Sequence, residues 1–130
     1  MAITPVDLMN LAQDLAKRPD EVSQRAAASK AYYFAFHTCK SLLREIRTGP
    51  ELGGPSHRAV IAELTRFNSP SNPNLNRKVN GLGYMLAQLS DLRSVADYEL
   101  DEDFSEATTR MVMAGALKAE ERVREIHHLI

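Results

Sequence analysis

Apolar positions recur at three- and four-residue spacings along almost the whole chain, and no stretch alternates with period two for long enough to build a sheet. The breaks between these periodic runs are marked by residues that start or stop helices. Thr4-Pro5 followed by Asp7 reads as an N-cap, a proline at the first helical position and an acid in the first turn, predicting a helix to about Lys17. Pro19 with Asp20-Glu21 restarts a second helix, which meets no breaker before Thr48. The Gly- and Pro-rich segment 48–55 is a loop, and a short third helix runs from Ser56 to about Phe67. A second loop covers 68–74, and a long fourth helix runs from about Leu75 to Leu100. Gly81 and Gly83 weaken its first half by about 1 kcal/mol each relative to alanine. Asp103 with Glu106 three residues on resembles a capping box and opens a fifth helix that continues to the C-terminus. The pattern predicts a single all-α domain over 1–130, an up-and-down bundle of about five helices with two long central ones.

The helical faces narrow the picture. On the second helix Ala28, Ala31, Tyr32, Ala35, Phe36, Cys39, Leu42, Leu43 and Ile46 form one broad apolar stripe. Lys30, Tyr33, His37, Ser41 and Arg44 fall on another face, with Phe34 on the same outer side, and Arg25 and Ser29 lie at the stripe's edge. On the fourth helix Leu82, Met85, Leu86, Leu89, Leu92, Ala96 and Leu100 form the stripe, and Arg93 and Asp97 run together along one side.

Composition changes this picture little. With 130 residues, 44% of them apolar, the chain is long enough to bury a core without a disulfide or metal staple. A single cysteine, Cys39, excludes an intrachain disulfide framework and reads as a small buried hydrophobe. The net charge of −1 argues against indiscriminate duplex binding, which calls for a strongly basic balance. The first residues lack a basic region followed by an apolar run, and no stretch is long enough to span a membrane, so a cytoplasmic location is expected.

Two groups of residues carry candidate chemistry. Arg25 at the rim of a helix–helix interface needs an acid, because an unpaired buried charge is costly, and Asp97 on the facing edge of the fourth helix is the candidate. Arg25, Ser29 and Asp97 then form a polar clasp between two long helices. Arg93 and Asp97 are also i, i+4 neighbours, a pair that contributes only about 0.2–0.5 kcal/mol on a helix surface. The other reading of Arg93 is a guanidinium held at a groove to meet a phosphate, with Tyr98 beside it, since its planar fork matches phosphate oxygens. The Lys30–Tyr33–His37–Arg44 face mixes aromatic and basic groups as single-stranded nucleic-acid sites do, but a solvated outer face has the same composition. An outward Phe34 would favour a partner surface. Among the four histidines, His37, His57, His127 and His128, no pair has the spacing of a metal motif, and no cofactor is implied. No Gly-rich phosphate loop or nucleophile elbow is present.

Three segments, in this order, carry a family resemblance: Arg25-Ala-Ala-Ala-Ser29-Lys30-Ala-Tyr32-Tyr33-Phe-Ala-Phe36-His37, then Ser56-His57-Arg58-Ala-Val60-Ile61, then Leu92-Arg93-Ser-Val-Ala96-Asp97-Tyr98. Over about residues 20–126 the chain resembles the small stand-alone HEPN-domain proteins of bacteria and archaea. The resemblance implies a compact helical bundle that dimerises. It also implies a role in toxin–antitoxin or antiphage defence, as a metal-independent ribonuclease or RNA-associated effector, often beside a nucleotidyltransferase-like partner. The family's catalytic signature is an arginine followed a few residues later by a histidine. Arg93 is the counterpart of that arginine, but Ala96-Asp97-Tyr98 stands where the histidine is expected. A carboxylate cannot replace imidazolium as a proton donor at neutral pH and repels phosphate. Arg122 and His127 have the family spacing but lie in the last turns, and a chain with four histidines reaches such a spacing by chance.

Two functions follow. In one, the chain is an RNA-associated homodimer in which Arg93 holds a phosphate, Asp97 and Tyr98 orient it, Arg25, Ser29 and Tyr32 support the cluster, and His37 and His57 are available for proton transfer. In the other it is a catalytically silent module whose exposed second-helix face, with Lys30, Tyr33, His37 and Arg44 beside His57, binds a nucleotidyltransferase-like protein. A nucleotide-binding bundle is a third reading, without a phosphate loop behind it.

Overall fold

In a computed structural model, residues 2–47 and 56–130 are described, and among them every regular element is a helix. They are α1 (Pro5–Ala16), α2 (Glu21–Ile46), α3 (His57–Arg66), α4 (Pro73–Tyr98) and α5 (Glu106–His127). The expected loop at 48–55 lies outside the described residues.

Side-chain caps set the helix starts. The Asp20 carboxylate accepts the Ser23 N–H at 2.9 Å, Ser56 Oγ the Ala59 N–H at 3.2 Å, and Asn72 Oδ1 the Leu75 N–H at 3.1 Å. Thr4 and Asp7 tie the start of α1, where the carboxylate accepts both the Thr4 N–H and its hydroxyl. The fifth helix is capped by Ser105 rather than Asp103, and Ser105 Oγ accepts the Thr108 N–H at 3.2 Å. The fourth helix ends two residues before Leu100, which is therefore 72% exposed instead of continuing the apolar stripe.

Interhelical hydrogen bonds fix the helix directions. Arg25 meets the C-terminal end of α4, so α2 and α4 are antiparallel. The Thr109 hydroxyl donates to the Gln24 carbonyl, and His127 meets Glu45, so α5 runs with α2. Gln24 also donates to the Ala16 and Arg18 carbonyls at the end of α1. Helices α1, α2, α4 and α5 thus alternate in direction, and α3 bridges α2 and α4. Close approach of α3 to α4 depends on Gly83, because a Cβ there would lie 2.8 Å from the Thr65 backbone nitrogen. The glycine that lowers helix propensity is the one that lets two helices touch.

The second helix is the hub and buries fifteen of its 26 residues, more than one stripe can hold. All nine residues of the expected α2 stripe are in the core. Phe34 is buried as well, at 2% exposure, contrary to the outward placement expected from the helical wheel. Helices α1 and α5 pack on the flanks of α2 that a single-stripe reading leaves to solvent. Phe34 therefore gives no support to a partner surface.

Candidate functional site

The expected site residues divide into two groups. Arg25, which sequence pairing assigns to Asp97, is committed elsewhere. Its Nη1 donates to the carbonyls of Val95, Ala96 and Glu99, each at 3.1 Å, and its Nη2 donates to the Glu102 carbonyl. Nε lies 3.5 Å from the Glu21 carboxylate, and the guanidinium stacks over the Phe104 ring. The side chain is a buried cationic cap on the negative end of the α4 dipole. A helix C-terminus offers a cation several carbonyl oxygens at once, which one carboxylate at Asp97 does not match. The Arg25–Asp97 clasp is therefore absent. Ser29 supplies the α2 contact instead, its hydroxyl donating to Asp97 Oδ2 at 3.3 Å.

Arg93 organises the second group. It is only 7% exposed, and its Nη1 donates to the same Asp97 oxygen at 3.4 Å, a long bond. Its Nε is buried and makes no hydrogen bond. Three phenol rings surround the charge: the guanidinium carbon is 5.1 Å from the Tyr32 centroid, 5.9 Å from Tyr33 and 5.8 Å from Tyr98. Aromatic faces stabilise a cation without supplying hydrogen-bond acceptors. Burial opposes the charge, but Tyr33 and the hydrogen bond and charge of Asp97 outweigh it, and the Arg93 pKa is raised.

Around the rings sit two histidines. Tyr32 Oη lies 2.8 Å from His57 Nδ1. The His57 ring packs 4.5 Å from Phe36 and 5.4 Å from both Tyr32 and Tyr33, between centroids. Burial, then the charge of Arg93, then His37, hold the His57 pKa below its ordinary value. Burial raises that of Tyr32, although a hydrogen bond from Ser90 and the Arg93 charge work against it. A neutral imidazole thus meets a protonated phenol, and this contact holds the His57 ring against Tyr32. His37 stacks at the outer side, 5.2 Å from Phe36 and 6.4 Å from Tyr33. Burial, Lys40 and Arg44 lower its pKa. Both imidazoles are therefore mainly neutral at pH 7 and suited to accept a proton rather than to donate one.

The expected residues that meet here are Ser29, Tyr32, Tyr33, His37, His57, Arg93, Asp97 and Tyr98. The rim is open at Tyr98, which is 73% exposed, and half-open at Tyr33 and His57. Lys30 is half-buried on the same helix, and Arg44 lines a separate cleft with His37. The Arg122–His127 spacing builds nothing: Arg122 pairs with Glu125, and His127 Nε2 lies 2.9 Å from Glu45. Sequence reading left out Phe36 as a wall of the site and Ser90 as a neighbour of Tyr32. Phe36 belongs to the core stripe by period, and only the seating of His57 at the first turn of α3 shows that it has a second neighbour.

Among the described residues no group of three or more His, Cys, Asp or Glu side chains gathers to hold a metal, and no helix is long and apolar enough to cross a membrane. Cys39 is fully buried with its thiol pKa pushed up to about 12, so it is no nucleophile. No protein-family model, curated protein or solved structure matches the chain.

Proposed function

We propose that this chain is an RNA-associated helical-bundle protein of HEPN type, acting as a homodimer in a prokaryotic toxin–antitoxin or antiphage defence module. The observation that carries this reading is the Arg93 cluster. A buried guanidinium is held by Asp97 and backed by three tyrosines, of which Tyr98 projects into solvent while Tyr33 packs beside His37 and His57. Exposed aromatic faces next to positive charge are what single-stranded RNA uses: bases stack on the rings, and phosphates meet the cations. Tyr98 and Tyr33 offer the rings, with Lys30 and His37 on the same helix as Tyr33 and Arg44 in the cleft further along it. Arg93 lies too deep to grip a strand directly, so its role here is to fix the rings and set a positive field beneath them. For metal-independent cleavage, His57 and His37 are the groups available to take a proton from a ribose hydroxyl. The test is incubation of the protein with single-stranded RNA in EDTA beside Arg93→Ala. Retention or cleavage of RNA by the wild type alone supports the reading, and neither activity removes it.

A second reading rests on a specific observation. Arg93 and His57 are already engaged, by Asp97 and Tyr32, and a group so occupied is poorly placed for acid–base work. The chain would then be a catalytically silent module whose α2 face docks a nucleotidyltransferase-like protein. Absence of RNA binding, together with a dimer in light scattering, favours this reading.

A further inference from the structure

A second feature lies one helical turn beyond the aromatic cluster. Between the start of α1 and the second half of α2 is a cleft of about 230 Å³, with Thr4 on the α1 side and His37, Lys40, Ser41 and Arg44 on the α2 side. Its basic side chains, His37, Lys40 and Arg44, come from one face of α2 at i, i+3 and i+7, the last two carrying the charge, and α1 closes the opposite side. No carboxylate lines it. The nearest acid in sequence, Asp7, is turned back on the Thr4 N–H at 2.8 Å and on the Thr4 hydroxyl at 3.2 Å. Among the described residues neither Lys40 nor Arg44 pairs with a carboxylate, a state shared with Lys30, Arg58 and Arg77, but here two such cations line one cleft. The two charges lie one and two helical turns beyond His37 and line the same cleft with it.

We infer that this cleft is a phosphate-binding site, in which Lys40 and Arg44 neutralise the anion while the Ser41 hydroxyl and the His37 imidazole donate to it. The chemistry points to phosphate rather than a carboxylate. A tetrahedral oxyanion can accept from an arginine fork, an ammonium and a hydroxyl at once, and arginine is the usual partner where bidentate geometry matters. Size agrees, because the volume falls below the roughly 300 Å³ where sites for drug-sized ligands begin. It suits a phosphate and its ester link, not a whole cofactor. Two sources supply such a group: a backbone phosphate of an RNA strand or a free small phosphate ester. We assign the first, which rests on the function proposed above, because His37 borders both this cleft and the aromatic cluster. A strand with bases on Tyr98 and Tyr33 would pass His37 on its way to Lys40 and Arg44.

Two measurements separate the site from its source. In the first, inorganic phosphate is titrated into the wild-type protein and into the double variant Lys40→Ala/Arg44→Ala, with the His37 ring and Ser41 amide followed by NMR. Both positions lie outside the core, so the variant is expected to fold, which its dichroism melt verifies. Saturable shifts in the wild type that vanish in the variant support the site. No saturable shift, or an equal shift in both proteins, overturns it. In the second, binding of a short single-stranded RNA is measured against salt. If one phosphate sits in the cleft, the log–log salt slope flattens by about 0.7 in the variant. An unchanged slope with RNA still bound overturns the assignment to the strand. Phosphate shifts without any RNA binding overturn both that assignment and the RNA reading, and leave a small phosphate ester as the ligand.

Discussion

Replacing Arg25 by methionine keeps most of the side-chain volume and removes the cap on α4. Four carbonyls lose a donor, but they do not lose it equally. Val95 O and Glu99 O each keep a backbone N–H, from Glu99 and Glu102, whereas Ala96 O and Glu102 O have no other donor among the described hydrogen bonds. A buried acceptor left without a partner costs roughly 1–3 kcal/mol, with the smaller value fitting the exposed Glu102. Loss of the cation at the helix C-terminus adds about 0.3–1 kcal/mol. Together these give about 3 kcal/mol, or about a 10 °C fall in Tm for a domain of this size. Urea unfolding followed by circular dichroism measures it directly, with an unchanged m-value confirming that only stability has moved. Arg25→Lys should fall between the two, since an ammonium keeps the charge but reaches fewer carbonyls. Glu21→Gln should cost less than about 1 kcal/mol, because the Glu21 carboxylate is half exposed and its hydrogen bond from the Phe104 N–H survives in the amide. A loss below about 1 kcal/mol for Arg25→Met would refute the cap and return Arg25 to the candidate site.

Three further outcomes are expected. Gly83→Ala should destabilise by about 1–3 kcal/mol despite better helix propensity, because the new methyl meets the Thr65 backbone. Gly81→Ala, which meets only the end of the Arg122 side chain, should stabilise slightly, and thermal melts of both variants compare them. Asp97→Ala should cost about 2 kcal/mol by leaving the Arg93 charge buried on aromatic faces alone, read by urea titration; an effect within 0.5 kcal/mol would contradict a structural Arg93–Asp97 pair. Because His37 and His57 have folded-state pKa values below the ordinary 6.5, the unfolded chain binds protons first as pH falls. Their contribution is complete above pH 6.5 and is lost on descending toward the lower folded values, so urea midpoints should drop between pH 7 and 5.5, with a shallower drop in His57→Asn.

The helix count, the helix order and the nine-residue stripe of α2 were legible because periodicity and capping residues are local signals. Phe34 and Arg25 were misread for one reason. The wheel of α2 shows a single apolar stripe, but its burial depends on four neighbouring helices whose placement no local pattern encodes. Charge alone pairs Arg25 with Asp97, but a helix end presenting several carbonyls in one place is the better partner for a guanidinium. Proximity of Arg93, Asp97 and Tyr98 was readable from their i, i+4 and i, i+5 spacing. Packing of α2 on α4 brings Tyr32 and Tyr33 to them, and the seating of α3, set by Gly83 and by a hydrogen bond across 25 residues, brings His57. The α1–α2 cleft is invisible in the sequence for the same reason: Arg44 stands out on the outer face of α2, but no local pattern brings the start of α1 beside it and Lys40.

The account turns on whether the rim of the Arg93 cluster binds single-stranded RNA. The direct measurement is fluorescence anisotropy of a labelled single-stranded RNA at low salt in EDTA, with wild type and Tyr98→Ala compared side by side. Tyr98 is 73% exposed, so its loss should leave the fold intact. Stacking one base on an aromatic ring contributes about 1–3 kcal/mol, so the variant should bind roughly 5- to 150-fold more weakly than the wild type. No binding by the wild type, or equal binding by both proteins, would contradict the account and leave the partner-docking module in its place.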